Sequence, residues 1–190
     1  MYKLIKVRDI VQIPPKDFDK NIKEAALNVL MEKYEGTFSK SDGLIVSIKD
    51  IEEIGEGRVV PTEGGTHHKV IFNALAFEPQ DGEIIEGWVS DATDYAAFIR
   101  IGPKDGMVHI SQLMDEYVSF DEKNLQFVGK DTNKLLKVDD NVRGRVVSIS
   151  TKKDLRIKMT MRQPGLGKLQ WIEDEREEEV EKTEEEEEND

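Results

Sequence analysis

At 190 residues the chain has room for one domain or two small ones, and with no cysteine it has no disulfide framework, thiol nucleophile or thiolate zinc site. Its 27 basic and 40 acidic side chains give a formal charge of −13, and no uncharged run approaches the ~20 residues that cross a bilayer. The opening MYKLIKVRDIVQI carries charges through its apolar positions and lacks a small-residue cleavage site, so a cytoplasmic protein without a membrane partner is expected.

Ile5, Val7, Val11 and Ile13 alternate with Lys6, Arg8 and Gln12, a period of two that predicts a long first strand. Pro14 and Pro15 end it, because neither donates to a ladder. Asp17 is the expected N-cap of an amphipathic helix over 17–35: Phe18, Ile22, Ala25, Ala26, Val29 and Leu30 recur at three- and four-residue spacing. Gly36 sits where a left-handed cap belongs. Residues 44–51 and 69–78 read as strands, and Gly55, Gly57, Gly64 and Gly65 between them mark turns or a mobile loop. The sum over residues 1–81 is a β-α-β-β domain, one helix on a small, mostly antiparallel sheet.

Pro79-Gln80-Asp81-Gly82 is a turn signal and the expected domain boundary. Beyond it come GEIIEGWVSDA, YAAFIRIG, GMVHIS, NVRGRVVSIS and LRIKMTMR, five short strand-like runs with no strong helix. They predict a five-stranded closed barrel of the OB type over residues 82–172, with an insertion at about 114–138 that such a barrel does not need. The whole is of the α+β class.

The charge is unevenly spread. Residues 173–190 hold 13 acids against Arg176 and Lys182, a net of −11, with almost nothing to bury. A disordered acidic tail is expected there, serving solubility or competing for basic partner surfaces. The remaining body is close to neutral, and within it residues 143–168 set eight basic side chains against Asp154 alone. An average of −13 argues against nucleic acid; its distribution does not.

On the last strand Leu155, Ile157, Met159 and Met161 face one way and Arg156, Lys158 and Arg162 the other. Arg143 and Arg145 share a face of the strand before it. Such a wall can track a phosphate backbone, although charge alone fits a solvated strand face equally well. Aromatic residues add to it: Phe98 and Arg100 share the face opposite Ala97, Ile99 and Ile101, with Tyr95 at the strand start and His109 on the next strand. A Phe beside an Arg suits base stacking better than a core, while packing against another domain is the competing use of each aromatic.

Gly87-Trp-Val-Ser-Asp-Ala-Thr-Asp-Tyr-Ala-Ala-Phe-Ile-Arg-Ile-Gly, then Asp105-Gly-Met-Val-His-Ile-Ser-Gln-Leu, then Val142-Arg-Gly-Arg-Val-Val and Arg156-Ile-Lys-Met-Thr-Met resemble the S1 RNA-binding domain. The resemblance places Tyr95, Phe98, His109 and Arg156 on the RNA face of that family. Ala96 replaces its usual glycine, and Ser150 stands where an aspartate is common. With the N-terminal Ile-Pro-Pro, the helix ending Tyr34-Glu-Gly, Gly57-Arg-Val-Val-Pro-Thr-Glu-Gly-Gly and Arg162-Gln-Pro-Gly-Leu-Gly, residues 1–172 resemble the E-prime stalk subunits of archaeal RNA polymerase. These are counterparts of the seventh subunit of eukaryotic polymerase II. The resemblance implies an N-terminal tip domain docking on the polymerase core subunits, here through a loop around Gly55, Gly57, Gly64 and Gly65. It also implies a heterodimer with the small helical F-type subunit of RNA polymerase, and a barrel that binds single-stranded nascent RNA in initiation and elongation. The candidate RNA-binding residues are thus Tyr95, Phe98, Arg100, His109, Arg143, Arg145, Arg156 and Lys158.

Other chemistries find no support. His67 and His68 are adjacent, point to opposite faces of a strand and read as surface residues, not metal ligands. Asp139-Asp140 lacks the ligand ladder of a calcium loop. There is no P-loop, nucleophile elbow or dinucleotide fingerprint, so neither catalytic residues, metal nor cofactor are expected. A free-standing S1 protein of RNA degradation or translation is the main rival, though no KH motif follows the barrel. A scaffold whose S1 face is covered by protein is another.

Overall fold

Strand β1 (Tyr2–Ile13) follows the alternation of its sequence, with Val11 and Ile13 buried and Lys6, Arg8 and Gln12 exposed. Pro14 and Pro15 lead into a single 3-10 turn, Pro15–Asp17, and α1 (Ile22–Tyr34) begins a turn later than expected. Its N-cap is Asn21, whose side chain accepts from the Lys23 N–H at 2.9 Å. Asp17 caps nothing and instead pairs with Lys20 at 2.7 Å. The proline pair, with its fixed φ, closes the chain into that separate turn, which leaves Phe18 outside the helix and exposed. Gly36 adopts φ 75°, as a left-handed helix stop requires.

The chain continues through β2 (Phe38–Ser39), β3 (Gly43–Ile54), β4 (Arg58–Val59) and β5 (Thr66–Phe77). The sheet order is β1-β5-β3-β2, all antiparallel, with β4 pairing β5. β5 is central and pairs β1 along its whole length, from Thr66 opposite Ile13 to Phe77 opposite Tyr2. On one sheet face Val11, Ile45, Ile48, Val70, Phe72 and Ala74 pack with Leu30 of the helix, and Ile13 packs with Ala25 and Ala26.

The computed structural model describes residues 1–39, 41–60, 63–151 and 155–177. It divides into two units after Glu78. The second unit contains β6 (Ile84–Ala92), β7 (Ala96–Arg100), β8 (Asp105–His109), β9 (Val118–Asp121), β10 (Gln126–Gly129), β11 (Leu135–Lys137), β12 (Asn141–Ser150), β13 (Arg156–Thr160) and β14 (Gly167–Lys168). The order β13-β8-β7-β6-β12, with β12 also pairing β13, closes a five-stranded barrel. Val89, Ala97, Ile99, Val108, Val142, Val146, Ile157 and Met159 are buried; they alternate with outward residues and fill the barrel. Gly87 is required here, because a Cβ would strike the Arg100 carbonyl of the neighbouring strand.

The insertion is itself structured: β9, β10 and β11 form an antiparallel sheet in the order β11-β10-β9. Residues 169–177 form a second helix, α2, so the expected tail does not begin at 173. Trp171 packs on Gly167, Ile172 is buried, and Glu175 pairs with Lys134 at 2.8 Å. These contacts hold the first acidic residues to the barrel unit. The rest of the expected tail, 178–190, lies outside the described residues, as do Pro61 and Thr62 of the glycine-rich stretch.

Candidate nucleic-acid interface

The barrel wall made by β7, β8 and β13 gathers the aromatic and cationic side chains. Paired residues on neighbouring strands share a face. Phe98 lies opposite Met107, and Met107 opposite Lys158, giving one continuous outward row over three strands. Ala96 lies opposite His109 and Arg100 opposite Asp105, one step to either side of Phe98. Arg156, two residues before Lys158, points outward with it. Phe98 is half-buried, whereas His109, Arg156 and Lys158 are exposed. No carboxylate of the described residues pairs with Arg156 or Lys158.

His109 is held in place. Its Nδ1 accepts the Ser111 N–H at 3.2 Å and lies 2.9 Å from Ser111 Oγ. In the neutral ring the proton is then on Nε2, which is left to donate to a ligand. Tyr95 joins this end of the wall: its carbonyl accepts the Ile110 N–H at 2.9 Å, and its side chain is 50 % exposed.

The other predicted cations are placed differently. Arg100 is on the same face as Phe98, but its guanidinium is engaged by Asp105. Arg143 lies opposite Glu86 on β6 and donates to it at 2.7 and 2.9 Å. Arg145 lies between Ile84 and Thr160, with its Nε buried and unpartnered. From Ser148, which pairs Lys158, back to Arg143 is five residues, roughly 17 Å along β12. Arg143 therefore does not join the Phe98 row, while Arg145, opposite Thr160, stands one strand over and one step along from its Lys158 end.

Met107, at the centre of the row, and the carboxylates Asp105 and Glu86 that occupy two of the arginines escaped the sequence reading. Alternation within each strand names the outward residues; which of them meet depends on pairing across strands. Trp88 escaped too: it lies directly opposite Arg100 and is 48 % exposed.

The glycines of the first unit's loop serve three different ends. Gly55 donates its N–H to Lys69 O at 2.8 Å and its carbonyl lies 2.9 Å from His68 Nδ1. Gly57 lies flat against the His68 ring, where any Cβ would clash. Gly65, at φ 106°, passes over the Ile13 carbonyl. Gly64 has open space around it and gives its carbonyl to Gln12. Neither histidine is the surface residue expected: His68 is buried, its Nε2 3.0 Å from Thr66 Oγ1, and His67, on the other face, is mostly covered and pairs with Glu63. Between Gly57 and Gly64, Arg58 and Val59 are exposed.

An open barrel wall bearing cationic and aromatic side chains coincides with a match to the S1 RNA binding domain over residues 78–162. Residues 8–64 match the SHS2 domain found at the N terminus of Rpb7p and Rpc25p. The DNA-directed RNA polymerase subunit Rpo7 of Saccharolobus shibatae is 41 % identical over 175 residues, spanning 90 % of this chain and 97 % of that one. The chain belongs to the Rpo7/RPB7 family of DNA-directed RNA polymerase subunits. More distant members are similar as well. Subunit RPC8 of RNA polymerase III from Saccharomyces cerevisiae is 34 % identical over 49 % of this chain and 44 % of its own. RPB7 of polymerase II from the same yeast is 27 % identical over 58 % and 65 %. In this Rpo7-like chain the SHS2 match lies within the first structural unit and the S1 match begins at the boundary and runs through the second.

Proposed function

We propose that this polymerase subunit is a non-catalytic stalk component whose barrel holds single-stranded RNA leaving the enzyme, while its first unit docks on the polymerase core. The observation that carries the RNA reading is the Phe98–Met107–Lys158 row, flanked by His109 and Arg156, with both cations free of carboxylates among the described residues. Bases stack on Phe98, Tyr95 and His109, and phosphates meet Arg156 and Lys158. Binding of this kind is sequence-tolerant, because every base offers a π-face, and salt-sensitive, because counterions are released. The proposal calls for no cofactor and takes the chain to work in the cytoplasm, with the transcript.

Docking is assigned to the loop that ends β3 and β4, where Gly55, Gly57 and Gly65 fix the backbone against β1 and β5 and present Arg58 and Val59. The small helical F-type subunit is the proposed partner within the stalk. Purification of the tagged chain from its native cells tests the assignment. Co-elution of the large polymerase subunits with one small helical protein is expected; ribosomes or exonucleases in their place would overturn it.

A further inference from the structure

Trp88 has no role in the RNA face described above, yet it is a large apolar side chain on the outside of a barrel, 48 % exposed. Its neighbours place it. Val89 beside it points inward and is fully buried, so Trp88 points outward. It lies opposite Arg100 on β7 and opposite Asn141 on β12. Arg100 is two residues from Phe98 on the same face, roughly 7 Å along the strand, and β6 lies about 5 Å beyond β7. On β6 the residue opposite Phe98 itself is the exposed Asp91, and Trp88 stands beside the Lys158–Met107–Phe98 row, one strand further on and one step along.

The arginines around Trp88 are already paired, and the Asp91 carboxylate, which among the described residues accepts only the Ala92 N–H, adds a negative charge. Arg100 is taken by Asp105, and Glu86, two residues before Trp88, is taken by Arg143. A phosphate gains little at this end, whereas an indole face gains from any base. We infer that Trp88 is a further stacking platform for single-stranded RNA, extending the track from β13, β8 and β7 onto β6 and taking a base beyond the one on Phe98. This rests on the RNA-binding reading of the barrel.

The consequence is a stacking extension to a charged site, and it is separable by experiment. The full chain has two tryptophans; Trp171→Phe leaves Trp88 as the sole indole. Oligouridylates of about four and about twelve nucleotides, both within the range of site sizes of one OB barrel, are titrated against it. Saturation with the longer oligomer is expected to quench Trp88 fluorescence. Trp88→Ala is expected to weaken the longer oligomer roughly tenfold, to leave the shorter one unchanged, and to leave the salt slope as it was; Trp88→Phe restores most of the loss. Unchanged binding of the longer oligomer by Trp88→Ala, beside a clear loss in Phe98→Ala, overturns the Trp88 assignment alone. An equal loss at both lengths also overturns it, since that reports damage to the barrel. If Phe98→Ala binds like the wild type too, the RNA-face reading fails with it.

Discussion

The sheet of the first unit and the barrel wall of the second both turn a row of charged strand residues outward, and they dispose of those charges differently. On the sheet, Lys6 lies 2.7 Å from Glu52, and the Asn73 amide donates to Glu52 at 3.0 Å and to Asp50 at 2.7 Å. Hydrogen bonds from Lys6 and then Asn73 hold the Glu52 carboxyl below its usual range. On the barrel, Arg156 and Lys158 have no such acceptors among the described residues, and an aromatic residue and a methionine stand beside them. Exposed ion pairs contribute about 0–1 kcal/mol, so the two arrangements differ little in stability. They differ in what is left over for a partner. A surface that satisfies its own cations has little to offer a phosphate, and one that leaves them free can bind.

The largest effect separating the two units is expected in the first unit's core. Phe72 is fully buried among Val11, Leu30 and Val70, so Phe72→Ala is expected to destabilise that unit by about 3–5 kcal/mol. Hydrogen exchange on the full chain reads it amide by amide. Loss of protection along β1, β3 and β5 with unchanged protection in the barrel is the expected pattern. Equal loss in both would show that they unfold as one.

Next comes the RNA face. Phe98→Ala combined with Arg156→Ala removes one stacking platform and one free cation, and an affinity loss of roughly a hundredfold for single-stranded RNA is expected. Lys6→Ala, made on the neutralised sheet, is expected to leave that affinity where it was. Fluorescence anisotropy at fixed salt compares the two. A loss from Lys6→Ala as large as from the double variant would abolish the contrast between the surfaces. A finer measurement is the salt dependence: Lys158→Ala is expected to reduce the slope of log K against log salt by about 0.7, the value for one phosphate contact on a single strand. An unchanged slope would mean that Lys158 meets no phosphate.

Much of this contrast lay in the sequence. The alternation in LRIKMTMR and YAAFIRIG assigned inward and outward residues correctly, because a strand's period of two is a local property. What depended on pairing between distant strands was out of reach. The occupation of Arg143 by Glu86 joins residues 57 apart in the chain, and nothing near Arg143 announces it. The inserted sheet went unseen because its strands, four, four and three residues long, are too short to show a period. The start of α1 was misplaced because Asp17 has the chemistry of a cap, and the proline pair two residues earlier spends it in a separate turn. His68 read as a surface residue because its burial comes from Gly57, far enough away in the chain to be invisible locally, which leaves just enough space for the ring.

The smallest effect concerns pH and belongs to the first unit. Asp9 on β1 accepts hydrogen bonds from Lys33 at 2.5 Å and from the Tyr34 hydroxyl at 2.7 Å. Burial pushes the Asp9 carboxyl up, but the bonds from Lys33, Tyr34 and the Ile10 N–H together outweigh it and hold the group below its usual 3.8. Burial, and then Asp9 itself, push the Tyr34 phenol from 10.0 up to about 12. The depressed acid gives stability that is present above pH 3.8 and lost as pH falls through its lowered value. The raised phenol gives stability that is complete below pH 10.0 and lost as pH climbs toward about 12, where a phenolate would face a carboxylate. Lysines titrate over the same alkaline range, so the wild-type curve alone does not isolate Tyr34. The difference between wild type and Tyr34→Phe does: the stability of the first unit, read by denaturant unfolding at each pH, is expected to fall off less steeply in the variant between pH 10 and about 12. Parallel curves would show that the phenol–carboxylate contact does not govern the alkaline limit, and that the self-neutralised sheet owes nothing there to the half-buried Tyr34–Asp9 pair.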